Sequence, residues 1–223
     1  MKISNNIKTY CVLFLIGIIA GILCRLTDFL PYEESLWSLP SMATLFGFWI
    51  ASVGIITCLS SSNKSAFINS FLYMFGMTIS FYGLKYILGF YISRFSNEGQ
   101  FQTDLFIVYS ILSVICGIGS FVLYFWNRQN IFNSFLYALP ASGMLAEATA
   151  CLIVLRNNHM LLAQTIFDIV FGLLFGIGFY RKAYNKMFYI GTVIIVAVLV
   201  FLVVYKPFLL TKSPTASSTG GLV

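Results

Sequence analysis

Apolar runs alternate with short polar breaks along nearly the whole chain. Seven runs approach or exceed the about 20 residues that cross a ~30 Å hydrocarbon core: 9–26, 41–59, 66–92, 105–126, 131–155, 160–180 and 187–206. The breaks are polar and mostly short: SSSNK, NRQN, RNNH and RKAYNK. Two are longer, LTDFLPYEESLWSLP between the first two runs and SRFSNEGQFQTD between the third and fourth. The pattern predicts an all-α, polytopic integral membrane protein. It has seven transmembrane helices in one domain over residues 1–210. Residues 211–223 are small and polar (SPTASSTGGLV at the end) and read as a disordered tail with the composition of an appended linker.

The first run follows Lys2 and Lys8, as a secretory signal would, but no A-x-A cleavage pattern follows CVLFLIGIIAGIL. It is read as a retained first helix. Pro31 followed by Glu33 and Glu34 suggests a short outer helix, with proline at its first position and acids at the positive end of its dipole.

Charge gives the helices a direction. One side of the expected membrane holds Lys2, Lys8, Lys64, Arg128, Arg181, Lys182 and Lys186 with no acid. The other holds Arg25, Arg94, Arg156, Lys206 and Lys212 among Asp28, Glu33, Glu34, Glu98 and Asp104. The excess of basic residues on the first side places the N-terminus in the cytoplasm and the C-terminus outside. Aromatics mark the expected interfaces: Trp126, Tyr180, Tyr184 and Tyr189 on the inner side, and Tyr32, Trp37, Tyr86 and Tyr91 on the outer.

Composition agrees. The chain is 59% hydrophobic and 9% charged, where soluble domains carry about a quarter charged residues. Its net charge of +6 is the loop bias just described, not a nucleic-acid surface. The five cysteines lie in apolar runs without CxxC spacing, and a single His159 supplies no metal set, so no metal or cofactor is expected. Expected partners are the lipid bilayer of the cell membrane, a small solute or proton, and a second copy or partner membrane subunit.

Two acids contradict their surroundings: Glu147 in ASGMLAEATACLIVL and Asp168 in LLAQTIFDIVFGLLFG. A charge at the centre of a membrane helix costs about 2.5–3.5 kcal/mol on insertion scales and marks a partner or a function. The short RNNH turn makes their helices antiparallel neighbours. Each acid lies eight residues from the turn, which puts both at one depth, about 12 Å below the outer boundary. Gln164, Asp168, Gly172 and Gly176 form one stripe, and Gly172-x-x-x-Gly176 invites close helix approach. Pro140 is expected to kink the fifth helix. Lys85, one turn past Tyr82 in the third helix, falls near the same depth and is the expected counter-ion. Arg25, Arg156 and His159 fall at the outer rim.

The leading reading is therefore binding or transport of a small cationic or zwitterionic solute in an outward-facing pocket. Its ligand residues are Glu147, Asp168, Lys85, Gln164 and Tyr82. The alternative is a non-catalytic partner or assembly subunit whose charges lock helices together. An enzyme acting on lipid or peptide comes third. Ser142-Gly143 lacks an intramembrane histidine, and no GxGD surrounds Asp168. A further pattern is the similarity of FINSFLYMFG (67–76) to IFNSFLYALP (131–140), at the openings of the third and fifth helices. It suggests a parallel duplication.

Overall fold

The computed structural model describes residues 6–30, 36–92 and 100–211. The expected outer helix at Pro31–Glu34 and the expected tail beyond 211 lie outside them.

All regular structure among the described residues is helical: α1 (Ile7–Leu26), α2 (Ser41–Thr44), α3 (Phe46–Leu59), α4 (Asn63–Gly89), α5 (Thr103–Leu123), α6 (Ile131–Asn158), α7 (Leu162–Lys182), α8 (Lys186–Val200) and α9 (Lys206–Thr211). A π-helical turn, Phe201–Tyr205, joins α8 to α9. Six of the described helical segments are long and apolar enough to cross a membrane. Their outer faces carry Ile111, Ile115 and Ile118 on α5, Leu173, Leu174 and Ile177 on α7, and Ile194, Ile195 and Val198 on α8, all exposed. Continuous faces of this kind need lipid as their solvent. The chain is a multi-pass membrane protein.

The second expected span, 41–59, differs. It is broken at Leu45, whose extended backbone (φ −90°, ψ 158°) separates α2 from α3. The 14 residues of α3 reach only about 21 Å, short of a full crossing. The sequence does not foretell the break, because no proline lies inside the run and its hydropathy is continuous.

Two helix groups meet around α3. In one, α4 packs between α1 and α5; in the other, α6 packs between α7 and α8. α3 touches both groups, lying against α4, α5, α6 and α7. The closest approach is α1 on α4. A Cβ on Gly17 would stand 2.1 Å from the Tyr73 carbonyl oxygen, and one on Gly21 2.3 Å from that of Met77. The expected close approach is partial: a Cβ on Gly172 would stand 3.5 Å from Met144 Cβ of α6, whereas one on Gly176 would meet nothing within 4 Å. At Gly176 the small stripe of α7 leaves open space where that of α1 receives a backbone.

The repeated Asn-Ser steps are both buried and bonded, but to different kinds of partner. Asn69 donates to Ser60 and Ser65, and Ser70 accepts from Ser120 of α5. Asn133 donates to the Trp126 carbonyl and accepts from the Tyr184 N–H, while Ser134 accepts from the Asn185 N–H. Each pair is buried at the opening of a long helix and ties it to neighbouring chain.

Two of the aromatics expected at the inner interface pack inside the protein. Trp126 is buried, stacked on Tyr137 at 5.1 Å and tilted against Phe179 at 5.2 Å. Tyr189 is buried and donates to the Gly176 carbonyl at 3.1 Å.

Candidate functional site

The break at Leu45 leaves the first N–H groups of α3 without intrahelical acceptors, inside the protein. No local side chain caps them. The acceptor comes from α6: Glu147 Oε1 takes the Gly47 N–H at 2.9 Å. An acid at the positive end of a helix is favourably placed twice over, by hydrogen bonding and by the helix dipole. Glycine at 47 is a steric requirement, because a Cβ there would lie 2.0 Å from Asp168 Oδ1 and 2.7 Å from Gln164 Nε2.

Two further donors reach Glu147. Gln164 Nε2 of α7 donates to Oε1 at 3.1 Å. The Tyr205 hydroxyl, at the end of the π-helical turn, donates to Oε2 at 2.5 Å. π-Helical turns often accompany functional positions. Gln164 Nε2 also donates to Asp168 Oδ1 at 2.7 Å, so one amide bridges both acids. The Cys151 thiol, a weak donor, faces Asp168. Glu147, Gln164 and Asp168 have no solvent exposure. Two acceptors in this cluster, Asp168 Oδ2 and Gln164 Oε1, are buried without a hydrogen-bond partner.

Among the described residues, no lysine or arginine forms a salt bridge with either acid. Lys85 does not serve as their counter-ion. Its Nζ donates to Gln102 Oε1 at 2.6 Å, at the α5 end of α4. α3 lies between α4 and the α6–α7 pair, so equal depth does not bring Lys85 to the acids. Tyr82 stays with Lys85; both line a cavity of about 160 Å³ bounded by Thr44, Trp49, Gln102 and Tyr109. Neither acid lines that cavity. A larger apolar groove of about 480 Å³ runs along α3, α5 and α6 past Pro140, through which α6 continues as helix.

The rim residues separate as well. Arg25 is buried and paired with Asp28 at 2.5 Å, its guanidinium 4.8 Å from the centre of the Phe81 ring. Arg156 is exposed in the last turn of α6. His159 closes α6 in the left-handed region (φ 54°) and is exposed.

Sequence reasoning thus finds Glu147, Gln164 and Asp168 and misses Gly47, Tyr205 and Cys151. A tyrosine at the end of an apolar run reads by default as an interface anchor. The available signal for Gly47 is a glycine two residues beyond a Thr-Leu step, which is too common to carry weight. Chemically, the cluster offers two carboxyls, an amide and a phenol in an enclosed core, with no lysine or arginine paired to them among the described residues. Comparison with protein-family models, with curated proteins and with solved structures gives no match.

Proposed function

We propose that the chain binds a proton, or the cationic end of a small polar solute, at Glu147 and Asp168, and that this binding serves its movement through the membrane. The supporting observation is an imbalance. Two carboxyls sit fully buried without a basic partner among the described residues, and Asp168 Oδ2 and Gln164 Oε1 still lack donors. Uncompensated charge and unpaired acceptors are both costly in a dry interior. A proton on Asp168, or an ammonium group beside it, supplies charge and donor together. The broken helix supports the same reading, since solute and proton sites of membrane carriers gather where helices are interrupted.

A second reading has its own support. Glu147 bonds to α3, α7 and the end of the α8 helix at once, and the three polar side chains are wholly enclosed. In that reading the acids lock helices in a non-catalytic membrane subunit.

Two variants separate the readings. The purified protein is titrated with methylammonium, and separately with acid, while its unfolding temperature is followed. Binding to the native state raises that temperature. The solute reading expects a response to methylammonium or pH that Asp168→Asn removes and Glu147→Gln weakens. If both variants are merely less stable, with an unchanged response or none in any form, the lock reading stands and the solute reading fails.

A further inference from the structure

The cavity around Lys85 has the opposite chemistry to the acid cluster. Thr44, Trp49, Thr78, Tyr82, Lys85, Gln102 and Tyr109 supply its polar edge, and among the described residues no Asp or Glu lines it. Lys85 carries three donors and uses one on the neutral amide oxygen of Gln102. Trp49 is 7% exposed, and its indole Nε1–H, a pure donor, has no hydrogen-bond partner. The Thr78 hydroxyl is occupied, donating to the Met74 carbonyl at 3.0 Å. Among the described residues, the cavity thus carries an ammonium with donors to spare and an unpartnered indole N–H, beside the hydroxyls of Tyr82 and Tyr109.

The remaining wall is apolar and aromatic. Trp49 meets Tyr109 edge-on at 5.5 Å, Tyr82 lies 5.6 Å from Tyr109, and Met77, Phe81 and Leu105 complete the lining. The volume of about 160 Å³ is below the roughly 300 Å³ at which drug-sized ligand sites begin. A ligand must therefore be small, present an acceptor with negative charge to Lys85, and rest a flat apolar body on the rings.

We propose that this cavity is a binding site for a small organic carboxylate with an apolar or aromatic body. Lys85 pairs with the carboxylate, and Trp49 donates to it. The site is separate from the acid cluster and does not rest on the function proposed there.

The test uses the full-length protein in lipid nanodiscs, with benzoate, benzamide and benzylamine as probes. The three share a ring and differ in the charge of their polar end. Binding is read from the unfolding temperature and from tryptophan fluorescence. Benzoate is expected to bind at least about tenfold more tightly than benzamide, with benzylamine weaker still. Lys85→Gln is expected to bring benzoate down to the level of benzamide, and Lys85→Arg to preserve the preference. Trp49→Phe keeps a ring and removes the N–H, and should weaken benzoate a few-fold. Glu147→Gln should leave benzoate binding unchanged, even if the response to methylammonium is lost. Benzoate no tighter than benzamide, full benzoate affinity in Lys85→Gln, or no response to benzoate at ~10 mM would each overturn the proposal. Should Lys85→Gln not fold, the benzoate–benzamide comparison on the unaltered protein decides the matter.

Discussion

Glu147 gives both carboxylate oxygens to donors that lie far away in sequence: Gly47 at a separation of 100 residues and Tyr205 at 58. Removing one donor should be measurable. Tyr205→Phe keeps the ring and deletes the hydroxyl, so unfolding should become easier by about 1–3 kcal/mol, the cost of leaving a buried acceptor unsatisfied. Gly47→Ala should cost a similar ~1–3 kcal/mol, because the added carbon falls on Asp168 and Gln164 inside a cluster with no room to shift. Chemical denaturation in detergent, monitored by circular dichroism, reads both; an unchanged midpoint for either variant contradicts the geometry. At this scale the acids were visible in the sequence because a carboxyl stands out in an apolar run. Gln164 was visible because a spacing of four puts it on the same face as Asp168. Lys85 was misplaced for an equally physical reason: depth along a helix does not say what lies around it, and α3 intervenes.

Between elements, backbone proximity separates glycines that look alike in sequence. Gly17 and Gly21 admit α4 so closely that an added carbon meets carbonyl oxygen, which cannot swing aside as a side chain can. Gly17→Ala should therefore push α1 from α4 and cost at least about 1–3 kcal/mol. Gly176→Ala should be neutral or stabilising by up to about 1 kcal/mol, since the site is open and alanine favours helix. Paired thermal-unfolding curves give the contrast, and equal effects would refute it. Six long helices were legible from their length and hydropathy. The division of the second run was not: the carboxylate that answers the head of α3 comes from α6, and periodicity within one segment cannot register a contact made by another. The two Asn-Ser steps bond to different kinds of partner, Asn69 and Ser70 to serine hydroxyls and Asn133 and Ser134 to backbone groups, so the similarity of 67–76 to 131–140 is one of sequence.

At the scale of the molecule, the side of the membrane on which each end lies rests on the charge bias. Gln129 and Asn157 are exposed at opposite ends of α6 and make suitable reporters. Placed in a background whose native cysteines are replaced, Gln129→Cys should react with an impermeant maleimide only after cells are opened, and Asn157→Cys should react in intact cells. The reverse pattern would mean that the chain is inverted or that the second run, with α3 short of a full crossing, turns back without crossing, and labelling of both from one side would disagree with a single crossing by α6. The contact between Glu147 and the head of α3 also constrains how the protein is made. Synthesis delivers the second run to the bilayer well before α6 exists, so α3 arrives with its first amide groups unanswered in an apolar solvent. It can be completed only when residue 147 emerges 100 positions after Gly47. Until then the half-helix is an incomplete segment that the insertion machinery must shelter, and assembly of the two helix groups becomes the final step of biogenesis rather than the sum of independent insertions.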